Sequence, residues 1–389
     1  MRRRAVVAAI VIAAKLMRAN LFGELIAMVA RTLAAFARRL RPAALGAACA
    51  LVPPVMATAA VCSASDPLYP RRWVAAPGVS NNGTPLRVVQ FNILADGLSA
   101  RHPSNGGFTE SPPESLAWDF RRDRLVAEVF RHFEEEAGPD VVAMQEVDHY
   151  DELAAEMRRR GYEGTWKAKP DSPCLRFNAD LEDGCALFWR TDAVAVDELT
   201  TVNFKQLDSD GAPTGKASNQ VAIVAQMRLL RGAAKGGAPF VVAVSHLMAR
   251  KDATGERARA QQVAQLLEAA FAAAQRAGTA AVVAMLDMNA APSRSASADY
   301  EPEALPAALD GGRVRSAYAA ALGDEPSYTS WKRRGAKDAK YTIDYVLISP
   351  AVAVRRVLLP PDEDELDAER LPGWRYPSDH VALQAELEI

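Results

Sequence analysis

From Leu86 onward, short unbroken apolar runs alternate with longer stretches whose apolar residues recur at three- and four-residue intervals. The runs LRVVQFNIL (86–94), DVVAMQEV (140–147), DGCALFWR (183–190) and SNQVAIVAQMRL (218–229) predict strands. So do PFVVAVSHL (239–247), AVVAMLDMN (281–289), YTIDYVLIS (341–349) and DHVALQAELEI (379–389). Continuous Val, Ile and Ala runs of this length predict strands covered on both faces or deep in a sandwich. Helices are predicted over 114–137, where Leu125, Val129 and Phe133 fall four apart, and over 151–160 and 256–277. The interleaved order predicts a mixed α/β fold. Ahead of the first strand, 65–85 is rich in Pro, Gly, Asn and Ser and reads as a linker. No internal repeat is visible.

Composition adds two constraints. With 389 residues, 49% hydrophobic and 24% charged, the chain is neither disordered, collagenous nor a disulfide miniprotein, and it can bury a substantial core. Charge, however, is uneven. Residues 1–64 carry eight arginines and one lysine against Glu24 alone, a charge of +8, which leaves −10 for the remainder of a chain whose formal total is −2. The basic, alanine-rich start reads as a targeting leader for an organelle, mitochondrion or plastid, with the cytoplasm as the alternative. Its ten-residue apolar run is shorter than the roughly 20 residues a spanning helix needs, so no stable membrane span is expected. Nor does the leader leave room for a repeat arm for complex recruitment. The acidic body argues against general binding of polyanions, so a nucleotide site here needs a local basic cluster. Cysteines at 49, 62, 174 and 185 fit neither a zinc ribbon nor a disulfide framework.

The predicted strands share one feature: a polar side chain near an end. These are Asn92, Glu146, Asn219, His246, Asp287 with Asn289, Asp344, and Asp379 with His380. Singly, each has an ordinary reading. Asn92 could bond a neighbouring loop, Glu146 could be a solvated strand-end acid, and Asp379-His380 could be a turn. Asp344 is the hardest to set aside, because aspartate is depleted inside strands. Asp287 and Asn289, two apart, point to one face of an extended segment. Leaving so many buried polar groups unpaired would cost several kcal/mol each, which argues that they converge. Carboxylate and amide oxygens without thiolates are hard donors suited to Mg²⁺, or Mn²⁺, and a histidine beside an aspartate can be held in one tautomer. Together they suit a metal-assisted phosphoester hydrolase. His102, His132 and His149 read as surface residues.

The ordered set QFNIL, AMQEVDHY, SHLMAR, LDMNAAPS, YTSW, TIDY and YPSDH resembles the endonuclease/exonuclease/phosphatase superfamily. Within it, GYEGT, KPDSPCL, DGCALF and SNQVAI are similar to the nocturnin and deadenylase group. Covering about 86–389, the resemblance implies a four-layer α/β sandwich, two mixed sheets packed face to face with helices on the outer faces. It implies Mg²⁺ on Glu146 with Asn92 alongside, and water and phosphate positioned by Asp287 and Asn289. His380 would contact the phosphate, oriented through Asp344 or Asp379, with His246 as a second contact. Lys169, Asn219, Arg250 and Arg334 would bind the nucleotide. Two substrates follow: NADP⁺/NADPH, losing the 2′-phosphate, or the 3′ end of poly(A) RNA, degraded 3′ to 5′. The chain departs from the group at Met248, where relatives carry lysine, and at Leu286, where they carry glycine.

Overall fold

Val88 and Val89 adjoin in sequence yet lie in different hydrophobic cores, because successive side chains of a strand point to opposite faces of its sheet. The computed structural model describes residues 65–389 apart from 79–82, 178–180, 209–211, 233–235 and 295–298; the leader of residues 1–64 lies outside the described residues. The chain runs through β1 (Trp73–Ala75), β2 (Pro85–Asn92), α1 (Trp118–Phe130), β3 (Val141–Val147), α2 (Tyr150–Arg159), β4 (Tyr162–Ala168) and β5 (Gly184–Arg190). Two long strands follow, β6 (Val194–Leu207) and β7 (Pro213–Leu229), then β8 (Ala238–His246), α3 (Ala253–Arg276) and β9 (Val282–Asp287). Next come α4 (Ala304–Leu309), β10 (Arg315–Ser316), α5 (Ala317–Leu322) and the ribbon β11 (Ser330–Arg334) with β12 (Lys337–Tyr341). The last strands are β13 (Asp344–Ile348), β14 (Ala353–Leu358) and β15 (Leu383–Glu388).

One sheet has the order β1-β14-β15-β2-β3-β5-β4 and the other β10-β13-β9-β8-β7-β6. Both are mixed. β2 and β3 pair in parallel across the α1 crossover, as do β8 and β9 across α3, while the remaining pairs are antiparallel. Leu86, Val88, Val141 and Leu187 of the first sheet share a core with Ile223, Val242, Val244 and Val346 of the second. Val89, Phe91 and Met144 face outward onto Leu125 and Val129 of α1 and Leu153 of α2. On the opposite side Val241, Ala243 and Val282 pack under Val263, Leu266 and Ala270 of α3. Three cores separate four layers, as expected.

Several boundaries move. The helix predicted over 114–137 is confined to α1 because Ala117 stays extended after a 3₁₀ turn, and past Phe130 the chain turns through Ala137 and Gly138, both at positive φ. The strand predicted over 379–389 begins only at Leu383. Asp379 and His380 precede it in a loop pinned by Ser330 Oγ on the Asp379 carbonyl at 2.8 Å and by the His380 N–H on Ser378 Oγ at 3.1 Å. The expected linker 65–85 is corrected most. It contains β1, paired with β14, and buries Tyr69. Arg71 inserts fully into the body, donating to Glu128 at 2.5 Å and to the carbonyls of Leu358, Leu359 and Ala382. Turn-forming residues dominate the segment's composition, but Tyr69, Arg71 and Trp73 determine where it lies.

His132 and His149, expected at the surface, are half-buried. His149 stacks on Trp118 at 4.2 Å between centroids. Burial, reinforced by Arg71 and Arg131, pushes the His132 imidazole down to about 3. Both guanidiniums already engage Glu128, the acid 3.9 Å from His132. Because the folded value lies below the unfolded one, its contribution to stability is complete above about pH 6.5 and declines as pH falls toward 3. Urea unfolding should show this residue alone costing about 2 kcal/mol between pH 7.5 and pH 5. In His132→Gln that part of the acid sensitivity should vanish; an unchanged pH dependence contradicts it.

Candidate active site

Both parallel pairs end at the same edge of the sandwich. Asn92 closes β2 opposite Gln145, and His246 closes β8 opposite Asp287 at the end of β9. Asp344 opens β13 directly across from Asp287, so the start of an antiparallel strand lies beside the end of its neighbour. Glu146 reaches the cluster through a register shift between Met144 and Val147, with φ at +56°. Asn289, just past β9, has φ +55°. A left-handed backbone at non-glycine residues costs on the order of 1–3 kcal/mol, and here it directs two polar side chains into the site.

Asn92 ties the carboxylates together. Its Nδ2 donates to Glu146 Oε1 at 3.0 Å and to Asp287 Oδ2 at 2.9 Å, while its Oδ1 accepts the Leu94 N–H at 3.0 Å. Glu146 Oε2 accepts from the Ala95 N–H at 3.2 Å, and Asp287 Oδ1 from the Asn289 N–H at 2.9 Å. Asp344 Oδ2 meets His380 Nδ1 at 2.9 Å and accepts from Thr329 Oγ1 at 2.7 Å; its Oδ1 accepts from Gln90 Nε2 at 2.9 Å. Of the two acids expected to orient His380, Asp344 therefore does so. Asp379 is instead paired with Lys332 and lies 3.8 Å from Arg334.

The two histidines differ in charge, His380 being cationic and His246 neutral at neutral pH. Burial disfavours the His380 cation, but Asp344, Asp379 and Asp287 together outweigh it and raise the imidazole to about 9. His246 is pushed down to about 4 by burial, with repulsion from Lys169 adding to it. Lys169 Nζ lies 3.4 Å from His246 Nδ1, and an ammonium can only donate, so Nδ1 accepts and Nε2 carries the proton. That Nε2 faces Asp287 Oδ2 at 3.5 Å. Burial opposes ionisation of Asp379, yet Lys332, His380 and Arg334 hold its carboxyl well below the usual range.

Of the residues singled out by sequence, Asn92, Glu146, His246, Asp287, Asn289, Asp344 and His380 come together. Lys169 touches the cluster through His246, but its ammonium is buried against Asp183 at 2.5 Å. Asn219 exchanges hydrogen bonds with the backbone of Asp171, at 2.7 and 2.6 Å, and makes none to the cluster. Arg250 has a side chain 60% exposed and pairs with Asp252. Arg334 lies over the Phe108 ring at 4.9 Å, half exposed. Leu286 is wholly buried in the core under α3, and Met248 lies on the loop after β8, its backbone tied to Gln262 and Arg259 of α3. The sequence reading missed Gln90, Thr329, Lys332, Asp183 and Lys251. Period-two spacing marks two of these, since Gln90 shares a strand face with Asn92 and Lys332 with Arg334.

Glu146, His246 and Asp287 offer ligand atoms within 4.8 Å of one another, as do Asp287, Asp344 and His380. Among the described residues, no lysine or arginine pairs with Glu146 or Asp287. Two facing carboxylates bridged only by an amide fit a hard divalent cation. Among the described residues no thiolate joins the cluster: Cys174 and Cys185 are free and buried, and burial pushes the Cys185 thiol up to about 12.

Residues 89–380 match the Endonuclease/Exonuclease/phosphatase family over most of the chain. This chain belongs to that family. Enzymes of the Endonuclease/Exonuclease/phosphatase family are hydrolases, generally dependent on a divalent metal, and the chain is one of them. It is 33% identical to Nocturnin of Mus musculus over 342 residues, covering 85% of this chain and 72% of that protein. The human Nocturnin catalytic domain with bound sulfate anion superposes with TM-score 0.59 at 27% identity, covering 82% of this chain and 96% of the other. ANGEL2, a 2′,3′-cyclic phosphatase in complex with adenosine-2′,3′-vanadate, has the same fold at TM-score 0.60 and 19% identity, covering 82% and 99%. Among the described residues, no helix is long and apolar enough to cross a membrane.

Proposed function

We propose that this protein is a Mg²⁺-dependent nucleotide phosphohydrolase that removes the 2′-phosphate of NADP⁺ or NADPH. The observation that carries the reading is the convergence of Glu146, Asp287 and Asp344 with His246 and His380 from both sheets at one edge of the sandwich. Glu146 and Asp287 would hold the metal, with the Asn92 amide bridging them; when bound, the ion neutralises charge on the phosphate. Asp287 is also placed to take the proton of an attacking water, oriented by the Asn289 N–H and the His246 Nε2–H. His380, held at Nδ1 by Asp344, turns a charged Nε2–H toward the phosphate, where negative charge grows in the transition state. Similarity to Nocturnin supports NADP(H) as the substrate, and a body with a formal charge of −10 favours a small ligand over a long polyanion.

The second reading, 3′-to-5′ removal of poly(A), rests on the deadenylase members of the same group and uses the same site. Incubating the protein with Mg²⁺ and either NADPH or oligo(A) separates the two. Free phosphate from NADPH without AMP from oligo(A) is the expected result, and the reverse overturns it. Glu146→Ala and His380→Ala should each remove at least about 99% of either product; retention of activity would count against these roles.

A further inference from the structure

Four carboxylates, Glu146, Asp287, Asp344 and Asp379, surround a site that must attract an anion. Nearly every cation close to them is already engaged by the protein. Lys332 and Arg334 face Asp379, Lys169 faces Asp183, and Arg250 faces Asp252. Arg121 is fully buried and donates to the carbonyls of Ile93, Leu94, Leu116 and Pro377.

Lys251 differs. Its ammonium lies 3.2 Å from the Asn289 carbonyl and 3.4 Å from Asn289 Oδ1, both neutral, and 5.0 Å from the centre of the Tyr341 ring. Among the described residues it has no ion-pair partner. Two of its three N–H groups can be used on Asn289, which leaves the third for a ligand.

The loop that carries it is held rigidly. Arg259 donates to the carbonyls of Met248 and Arg250 at 2.8 and 2.6 Å, and the Met248 N–H donates to Gln262 at 3.0 Å. Asp252 caps α3 through the Gly255 N–H at 2.8 Å. A Cβ on Gly255 would sit 2.1 Å from the Arg250 carbonyl oxygen, so only glycine lets the loop lie this close to the helix. Lys251 lies in the middle of these anchors. Burial of its ammonium lowers it to about 8, Asp287 opposing this and Lys332 adding to it, so at neutral pH it remains mostly charged.

We propose that Lys251 binds the substrate: its ammonium, parked on Asn289, takes a non-bridging oxygen of the phosphate that is cleaved. The proposal rests on the phosphoester reading of the site but is independent of which nucleotide carries the phosphate. It also moves the anion-binding role from Arg250, the neighbour that the sequence favours, to a side chain aimed into the site.

Titration calorimetry of the full chain with inorganic phosphate, in the presence of Mg²⁺, tests it. Lys251→Met should weaken phosphate at least about tenfold, and Lys251→Gln by a similar factor, while Lys251→Arg should stay within about threefold of the wild type. Arg257→Met, an equal loss of charge on an exposed position of α3, should change affinity less than about twofold. Wild-type affinity in Lys251→Met, an equal loss in Arg257→Met, or no saturable phosphate binding by the wild type would each overturn the proposal. Because the titration needs no turnover, AMP release from oligo(A) would unseat the NADP(H) reading without touching this one.

Discussion

Asp287→Asn should reduce turnover at least about a thousandfold and leave the protein folded. The carboxylate is the common point of the site: Oδ2 accepts from Asn92 and faces both histidines, while Oδ1 accepts from the Asn289 N–H. An amide of the same shape must present its NH₂ either to the Asn92 amide or to the Asn289 N–H, donor against donor. It also cannot accept a proton from water or contribute charge to a divalent cation. Losing a base and an electrostatic ligand together is worth about 10³-fold or more in rate. Removing one of several crowded carboxylates offsets part of the lost hydrogen bond, so the stability change should stay within about 2 kcal/mol. Phosphate release at saturating substrate, with urea unfolding of the same preparation, checks both halves. Turnover within tenfold of wild type would falsify the central role of Asp287.

Arg71→Ala should have the largest effect on stability, about 3–5 kcal/mol. Arg71 and Glu128 are both wholly removed from solvent, and the guanidinium also satisfies three carbonyls, of Leu358, Leu359 and Ala382. Truncation leaves a buried carboxylate beside Arg131, the Tyr376 hydroxyl and a His132 imidazole that burial keeps neutral, and takes one donor from each of those carbonyls, of which Leu358 still accepts from the Tyr318 hydroxyl. The double replacement Arg71→Met with Glu128→Leu should recover much of the loss, because neither charge is then stranded. Urea midpoints of the three proteins decide this. A loss below about 1 kcal/mol in Arg71→Ala means that the segment before β2 does not anchor the sandwich.

The architecture was readable because both-face burial writes itself as continuous apolar runs. All eight predicted strands exist, and three predicted helices cover the outer faces. Strands of a different character escaped notice. β4, YEGTWKA, and β6, VAVDELTTVNFKQL, are half-solvated and mix polar with apolar residues, and their register comes from the neighbours β5 and β7. β1 and Arg71 were hidden in a segment whose Pro, Gly and Asn content suggested no structure. Burial there depends on a partner, Glu128, that lies 57 residues away.

At the site, the sequence by itself determined the inventory: which strand ends carry oxygen and imidazole groups, and that these groups suit phosphoester chemistry with a hard metal ion. Residue type and period-two spacing are local properties, so they are written in the chain. Only the tertiary structure decided who meets whom. Asp344 rather than Asp379 holds His380, because Asp344 lies opposite Asp287 in the β9–β13 register, while Lys332 on β11 captures Asp379. Lys251 rather than Arg250 enters the site, because Gly255, Arg259 and the Asp252 cap set the path of one loop. Pairing and charge state depend on distances between segments remote in sequence, and those distances exist only once the two sheets have packed.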